Sequence, residues 1–350
     1  MKNLAKMAPR SRLAATAKNL TLLREIGRGA YGTVYLAADA RGKRFAVKVC
    51  SRENCAEEHY KRELRGARLY RAIPPSEGLV RMLALEETKT EFREVFELAD
   101  DEFDDESAGA REYRPKTLSS LIAGEKALSL EASLELALAL AKGLVTLERH
   151  HLLHRDVKPG NVIYVNGRPV LTDPGLIVIE SEAASIVGTP GYVPPDSFVD
   201  DGGDVYSLAM TLKAASFGRP IEELARGPAL EADTQNEFFP AWWRILNRAT
   251  DANPARHYRS AAAFLKELIG LRRAMARGRF VAKLPWIVGA LVTVAVVVIC
   301  VVMIKSKIER DAYISQQIEE ADEACRRMKD EVKNICDDFR KNHPDFKDGK

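Results

Sequence analysis

The feature that most restricts the fold of this chain is a run of 21 residues without a charged side chain, from Leu284 to Ile304. Valine, isoleucine, leucine and alanine make up most of it. As an α-helix it would be about 31 Å long, which matches the hydrocarbon core of a bilayer at about 30 Å. Trp286 lies near one end, where membrane helices place interfacial aromatic residues. We therefore predict one transmembrane helix over 284–304, in preference to a buried helix of a soluble core.

The basic residues that flank this run predict its orientation. Because cytoplasmic flanks carry the excess of lysine and arginine, the N-terminal side is expected inside. The basic residues 1–18 are not followed by the apolar stretch of a signal peptide. We expect an inner (plasma) membrane protein whose large N-terminal part is cytoplasmic and whose residues 305–350 lie outside. The flanking basic residues are Arg272, Arg273, Arg277, Arg279 and Lys283 before the run, and Lys305, Lys307 and Arg310 after it.

A second feature, the eight residues from His154 to Asn161, combines three groups that suit phosphoryl transfer. In that chemistry an acid in the position of Asp156 orients the attacking hydroxyl, and an asparagine such as Asn161 holds Mg²⁺. Lys158 would neutralise the phosphoryl group in transit. The alternative is a charged turn between a helix and a strand. Because the full H-R-D-x-K-x-x-N pattern seldom arises by chance, we favour the catalytic interpretation.

A glycine-rich segment and a lysine in an apolar strand lie upstream. The sequence Gly27-Arg-Gly-Ala-Tyr-Gly-Thr-Val34 has the glycine spacing of several phosphate-binding loops, and on its own it is a weak signal. Here a strand rather than a helix is predicted to follow it. Lys48 stands in Phe45-Ala-Val-Lys48, where an ammonium group needs an anionic partner. Glu63 on the next predicted helix is one candidate, and the remaining candidates are Glu57 and Glu58.

A predicted hairpin returns a second oxygen ligand to the catalytic loop. Two short strand-like segments, 162–165 and 169–171, separate Asn161 from Asp173, so the hairpin would bring these two side chains together. Mg²⁺ prefers a few protein oxygens together with substrate phosphates. These groups together describe a phosphotransferase that uses ATP and Mg²⁺.

Composition excludes other classes of protein. A formal net charge of +3 and a pI near 8.5 are too mild to indicate a nucleic-acid partner, and no basic run is interleaved with aromatic residues. The five cysteines have neither the number of a disulfide scaffold nor the spacing of a metal site.

With these motifs in their order, the chain resembles a eukaryotic-type protein kinase over about residues 20–270, most like the bacterial membrane-anchored serine/threonine kinases. The resemblance implies an α+β bilobal fold, with an antiparallel sheet and one helix in the N-lobe and a mainly helical C-lobe. One transmembrane helix and a short helical tail would follow. The expected organisation is a flexible lead-in over 1–18, a kinase domain over 19–270 with lobes of about 19–99 and 100–270, a basic juxtamembrane segment over 271–283, a transmembrane helix over 284–304 and a charged tail over 305–350.

For the nucleotide, the resemblance implies a glycine-rich loop over the phosphates, a lysine on the α- and β-phosphates, and an interlobe hinge whose backbone contacts adenine. Phe96 would be the gatekeeper beside that hinge. The implied residues are Ile26, Gly27, Gly29, Gly32 and Val34 in the loop, Ala46, Lys48 and its partner Glu63 behind it, and Glu97 and Ala99 in the hinge.

For the chemistry, the resemblance implies transfer of the γ-phosphoryl group to serine or threonine hydroxyls of proteins, including this protein itself. A lysine two residues after the catalytic base, together with Thr189, favours serine and threonine over tyrosine. The implied roles are catalytic base for Asp156, γ-phosphate contact for Lys158, metal ligands for Asn161 and Asp173, contact with Asp156 and Lys158 for Thr189, and brace of the catalytic loop for Asp204.

Three positions depart from the family pattern. Pro174 replaces the phenylalanine after the metal-binding aspartate, which removes an aromatic contact to the helix of Glu63 and restricts the backbone. Pro194-Pro-Asp196 stands where Ala-Pro-Glu is usual, and His257 falls where the arginine partner of that acid is expected. A shorter acid and a titratable base would form a weaker or pH-sensitive pair.

Two further hypotheses concern regulation and assembly. Ser181 and Ser185 could become phosphorylated and pair with Arg155, or be ordinary solvated loop residues. Cys325 and Cys336 would lie on one helix face about 16 Å apart. They could cross-link a homodimer formed through the transmembrane helix and the tail, form a hairpin where the helix breaks, or remain free thiols.

Two other functions compete with an active protein kinase. A membrane-anchored pseudokinase would signal through nucleotide or partner binding without phosphotransfer, and Pro174 and Asp196 favour it. A small-molecule phosphotransferase is disfavoured by the segment around Thr189, which resembles a peptide-seating element.

Overall fold

A computed structural model describes residues 19–29, 31–103, 112–124, 126–180, 188–194, 202–226 and 232–342, the side chains of 225–226, 254 and 279–288 excepted. The chain divides into two units, Met1–Met275 and Ala276–Lys350.

The first unit begins with a five-stranded antiparallel sheet in the order β1-β2-β3-β5-β4. Phe45, Val47 and Val95 fill a small apolar cluster, while Phe92 and Phe96 belong to the main core. The alternation of side chains along each strand produces these two buried faces. The strands are β1 Thr21–Arg28, β2 Thr33–Ala38, β3 Arg44–Ser51, β4 Met82–Glu87 and β5 Glu91–Phe96.

One helix, α1 (Glu57–Arg71), follows β3. Its buried residues Tyr60, Glu63, Leu64 and Ala67 have the spacing of a single helical face. Acidic residues in its first turn and basic residues in its last turn complement the helix dipole. Glu63 is thus a carboxylate on the buried face of α1, and this location requires a cationic neighbour.

The rest of this unit is mainly helical. Ser129 caps the long helix α3 (Leu130–Arg149) by accepting a hydrogen bond from Ala132 N, a usual role of serine at this position. Trp242 is fully buried and donates from Nε1 to Ser216 Oγ. The elements are α2 Leu118–Ile122, α3 Leu130–Arg149, the short strands β6 Leu152–Leu153, β7 Val162–Val165, β8 Arg168–Leu171 and β9 Val178–Ile179, and the helices α4 Gly203–Phe217 and α5 Phe239–Ala249.

The last helix, α6, runs from Ala261 to Asn342 and belongs to both units. Phe264 and Leu268 pack in the core of the first unit. In the second unit the apolar side chains from Leu291 to Ile304 are exposed. By length and composition, this is one helix of the described chain that could cross a membrane.

The predicted bilobal α+β architecture is confirmed, with differences in detail. The apolar and β-branched residues of 80–85 and 92–98 predict strands over these two segments. In the structure β4 and β5 cover 82–87 and 91–96 instead. The helix breaks suggested for the tail do not occur within 305–342, because α6 is continuous there. A hairpin that pairs Cys325 with Cys336 is therefore wrong for this structure, in which both thiols are free and exposed.

Candidate active site

The loop between β6 and β7 forms a dense network around Asp156. Asn161 Nδ2 donates to the backbone oxygen of Asp156 at 2.8 Å and to Asp156 Oδ2 at 2.7 Å. Lys158 Nζ lies 2.9 Å from the same carboxylate oxygen. The short 3₁₀ helix Pro159–Asn161 turns the chain back on itself, so that these three neighbours in sequence converge on one carboxylate.

Thr189 completes this network from a distant part of the chain. Its hydroxyl donates to Asp156 Oδ1 at 2.8 Å and accepts from Lys158 Nζ at 2.8 Å. A hydroxyl group therefore already sits between the carboxylate and the ammonium. The predicted approach of Thr189 to Asp156 and Lys158 is the arrangement that the structure has.

Asp204, near the start of α4, fixes the backbone of the loop that contains Asp156. Its carboxylate accepts from His154 N at 2.6 Å and from Arg155 N at 2.8 Å. Arg155 has a φ of 68°, a left-handed conformation that is unfavourable for a side chain of this size. Because Asp204 is buried, its two hydrogen bonds hold the strained residue directly before Asp156.

Lys48 is surrounded by carboxylates in the interior of the first unit. Its Nζ lies 3.0 Å from Glu63 Oε2 and 2.5 Å from Asp173 Oδ1. Glu94 faces it across the β3–β5 ladder. Burial alone would lower the pKa of Lys48, but the charges of Asp173, Glu94 and Glu63 raise it well above its usual value. Of the three candidate partners, Glu63 contacts Lys48, whereas Glu57 pairs with Arg52.

Asp173 joins this lysine to the loop that contains Asp156. Thr172 N donates to Asn161 O at 2.9 Å, which places the residue after Thr172 beside the loop. Burial acts to raise the pKa of Asp173, but the charge and hydrogen bond of Lys48 lower it overall, so the group is an anion. The side chain of Asp173 is 40% exposed.

These residues fit a magnesium site that depends on a bound nucleotide. Asp173 offers a partly exposed carboxylate, and the hydrogen bonds of Asn161 use its amide nitrogen, leaving the amide oxygen as a potential ligand. Within the described residues no cluster of three or more histidine, cysteine, aspartate or glutamate side chains could hold a metal. A cation held by these two groups would need phosphate oxygens as well, which is the usual preference of Mg²⁺.

Pro174 is accommodated by a glycine on α1. The 3₁₀ helix Pro174–Leu176 packs against this helix, and a Cβ at Gly66 would lie 2.7 Å from Pro174 O and 3.2 Å from Gly175 O. Asp173, before the proline, has a φ of 62°. Where the family has a phenylalanine, the backbone at Pro174 thus approaches α1 so closely that only glycine fits at position 66.

The glycine-rich loop has one glycine that the fold itself requires. A Cβ at Gly32 would lie 2.8 Å from Cys50 Sγ and 3.0 Å from Val49 O. A Cβ at Gly27 or Gly29 would meet its nearest neighbour at 3.8 or 3.7 Å, which is ordinary contact. The fold therefore requires glycine at position 32. Contacts within the protein do not require glycine at positions 27 and 29.

The remaining residues that are predicted to contact the nucleotide lie on the sheet and on the segment after it. Ile26 lies on β1, Val34 on β2 pairs with Lys48, and Ala46 on β3 pairs with Phe96. Phe96, the predicted gatekeeper, is buried. In the predicted hinge, Glu97 N donates to Arg81 O at 3.2 Å, and Ala99 O accepts from the hydroxyl of Tyr113 at 3.0 Å.

Glu94 is a further buried residue beside Lys48, and it belongs to none of the motifs of the sequence. Its side chain is almost fully buried, and its Oε1 has no hydrogen-bond partner within the described part of the chain. Burial raises the pKa of Glu94 to about 8, against the charge of Lys48, which lowers it. The signal was its place between Phe92 and Phe96 on one face of β5, where alternation predicts an inward side chain.

Some predicted features lie outside the described residues. These are Ser181 and Ser185, Pro195 and Asp196. His257 is buried, and its Nε2 is in hydrogen-bond contact with Asp251 O. Its predicted pairing with Asp196 stays a prediction.

The chain is similar in sequence to known proteins. A family model described as the protein kinase domain matches residues 20–275. A serine/threonine-protein kinase PknK of Mycobacterium tuberculosis is 28% identical over 71% of this chain and 23% of its own length. Drp72 of Corynebacterium efficiens, named as serine/threonine-protein kinases, is 32% identical over 53% of this chain and 36% of its own length. PknA of a Nostoc species, a serine/threonine-protein kinase, is 26% identical over 43% of this chain and 30% of its own length. The matched region thus covers at most 36% of the length of any of these three relatives.

Proposed function

This chain belongs to the protein kinase domain family, and from that premise we propose that it is an active serine/threonine kinase anchored in a membrane by one helix. The reaction is transfer of the γ-phosphoryl group of ATP, with Mg²⁺, to hydroxyl groups of proteins, including this protein itself. The acceptor class is supported by the serine/threonine kinase names of its relatives.

The observation that carries this proposal is the hydroxyl of Thr189 between Asp156 and Lys158. An acceptor hydroxyl needs a carboxylate within hydrogen-bond reach and a cation that balances the charge of the moving phosphoryl group. Both are present within 2.8 Å of one hydroxyl oxygen. In our proposal Asp156 accepts a hydrogen bond from the hydroxyl group of the substrate protein, and Lys158 contacts the γ-phosphate. Thr189 positions both of these side chains.

The nucleotide is assigned to the space between the sheet and the catalytic loop. Lys48, held by Glu63, contacts the α- and β-phosphates in this proposal, while Asn161 and Asp173 hold Mg²⁺, which neutralises phosphate charge when bound. Gly27 and Gly29 are not required by their protein neighbours. A phosphate held close to the backbone supplies a reason for glycine at both positions.

The membrane part of the proposal comes from the apolar section of α6. Its side chains from Leu291 to Ile304 are exposed, and a helix of this composition is stable when lipid surrounds it. We propose a single pass over 284–304 through the inner membrane, with the kinase domain of residues 19–270 inside and residues 305–350 outside, as the basic flank favours.

A transfer assay on the full chain tests the catalytic proposal. Detergent-solubilised protein is incubated with γ-labelled ATP, Mg²⁺ and a generic protein acceptor, and the labelled amino acids are identified after hydrolysis. We expect label on serine and threonine, and a loss of at least about 100-fold in Asp156→Asn, because the substitution removes the base. Equal labelling by both proteins would refute the proposal. No transfer combined with intact ATP binding would instead establish the pseudokinase alternative.

A further inference from the structure

The exposed part of α6 beyond the apolar run carries a regular apolar stripe. Its seven positions alternate in steps of four and three residues, which is the spacing of the a and d positions of a heptad repeat. Ile318 and Val332 are each 60% exposed, and Ile335 is 68% exposed. We call this stripe the tail seam: Ile314, Ile318, Ala321, Cys325, Met328, Val332 and Ile335.

The opposite face of the same helix segment is polar throughout. No apolar residue occupies the b, c and f positions between the ends of the seam, so the two faces differ sharply. A helix with one apolar stripe of period 3.5 matches the pattern of a supercoiled partnership rather than of a single solvated helix. The polar positions are Gln316, Glu319, Glu320, Glu323, Arg326, Arg327, Asp330, Lys333 and Asn334.

We propose that the tail seam pairs with the tail seam of a second copy of this chain, as a parallel, in-register, two-stranded coiled coil. A second copy is the occupant because the stripe is complementary to itself: heptad seams interlock when both helices carry the same repeat. β-branched residues at two of the a positions, Ile318 and Val332, favour two strands.

The flanking charges permit this pairing. In a parallel in-register pair, each g residue faces the e residue five positions later in the partner. These pairs join Gln317 to Asp322, Ala324 to Lys329, and Glu331 to Cys336. Each places a charged residue opposite a neutral one, so no like charges oppose across the seam.

The parallel direction rests on the proposed membrane anchor. Two copies inserted in the same sense begin their tails at the same membrane surface, which fixes direction and register together. Confinement to one membrane also raises the effective concentration of one tail for the other. This matters because a seam of about three heptads is short for an isolated coiled coil.

The proposal assigns different places to the two tail cysteines. Cys325 occupies an a position in the centre of the seam, where it faces its counterpart, whereas Cys336 occupies an e position at the flank. Both are free in the single chain. Cross-linking of Cys325 therefore reports the pairing directly.

The test uses full-length Asp156→Asn protein in native membranes, so that the result does not depend on phosphotransfer. Cys55, Cys300, Cys325 and Cys336 are replaced by serine or alanine, and buried Cys50 is kept. Single cysteines are then placed in the seam (Ile318→Cys, the native Cys325, Val332→Cys) or on the polar face (Glu323→Cys, Asp330→Cys). Copper–phenanthroline with air oxidises facing thiols to disulfides, oxygen accepting the electrons, and products are separated without reductant.

We expect covalent dimers at all three seam positions, forming at least tenfold faster than at the two polar-face positions. Ile318→Asp together with Val332→Asp should abolish the cross-link at Cys325, and Glu323→Lys should not. Equal rates on both faces, or no dimer at any position, would overturn the proposal. Cross-links between Ile318→Cys and Val332→Cys chains, without links between identical positions, would overturn the parallel direction. Carbonate extraction of the same membranes reports separately whether the anchor has failed.

Discussion

Gly66 lies in the middle of α1, where glycine costs roughly 0.5–1 kcal/mol of helix stability relative to alanine. The contact with Pro174 explains this cost, because a Cβ at position 66 would lie 2.7 Å from a backbone carbonyl oxygen. A backbone atom cannot move aside as a flexible side chain can. We expect Gly66→Ala to displace either α1 or the segment after Asp173, and so to disturb the contact of Lys48 with Glu63. Phosphotransfer should fall by about tenfold or more, as misplacement of about 1 Å can do.

A second helical glycine provides the matched control. Gly270 lies in α6, with no neighbouring atom within 4 Å of an added Cβ. Gly270→Ala should therefore keep full activity and gain roughly 0.5–1 kcal/mol of stability. The two variants are compared by initial rates of transfer and by thermal unfolding. Equal activity in both would show that the close approach at Gly66 has no functional consequence.

Glu94 gives the folded protein a pH dependence of known sign. Burial raises its pKa to about 8 from an ordinary 4.5, so the unfolded chain releases this proton at lower pH than the folded chain. The free energy of unfolding therefore falls as pH rises from about 4.5 through about 8, by an amount on the order of a few kcal/mol. Glu94→Gln removes this titration, and the variant should gain stability relative to wild type as pH rises.

The measurement is thermal unfolding at pH 5, 7 and 9, followed by tryptophan fluorescence. Glu91→Gln serves as control, since it changes the same strand and keeps Glu94; it should follow the wild-type profile. A stability difference between wild type and Glu94→Gln that stays constant with pH would contradict the assignment of the raised pKa.

At the level of elements, Asp204 links α4 to the catalytic loop through two backbone N–H groups. Asp204→Ala leaves these buried donors without their acceptor, at a cost of about 1–3 kcal/mol each. We expect a total loss of about 2–6 kcal/mol and a fall in the rate of transfer, because Arg155 would leave its left-handed conformation and release Asp156. Urea unfolding and transfer assays report the two effects.

The β2–β3 turn offers a comparison with the same hydrogen-bond pattern in solvent. Asp39 Oδ1 accepts from Arg41 N and Lys43 N, both at 2.9 Å, in an exposed setting. Since water can replace the lost acceptor, Asp39→Ala should cost about 1 kcal/mol or less and leave transfer unchanged. Equal losses for both variants would show that burial does not determine the cost.

The sequence predicts best those parts of the site whose residues lie close together along the chain. The network from Asp156 to Asn161 lies within one loop, and a hairpin whose length is fixed returns Asp173 to it, so spacing alone foretold both. The contact of Gly66 depends on a neighbour distant in sequence, and no local pattern identifies it. For Glu94, alternation along β5 predicts only an inward side chain and does not predict Lys48 beside it. The limits of β4 and β5 shifted by about two residues because pairing with neighbouring strands, not side-chain pattern, sets where a strand ends.

On the scale of the whole molecule, the membrane helix that we propose in the second unit would determine where the first unit works. Two arginines in the centre of the apolar run, Val294→Arg with Val298→Arg, would each oppose insertion by roughly 2.5–3.5 kcal/mol. We therefore expect the double variant to leave the membrane in large part. Its kinase unit should keep the transfer activity of wild type in detergent, because both substitutions lie in the second unit.

Carbonate extraction followed by sedimentation measures this partition. Val332→Arg with Ile335→Arg is the matched control, because it adds the same two charges to equally exposed residues of α6 beyond the run. The control should stay in the membrane pellet like wild type, although it breaks the tail seam and should lose the Cys325 cross-link. If both double variants were extracted equally, insertion would depend on the tail rather than on residues 284–304. If neither were extracted, a membrane contact other than this helix would hold the chain.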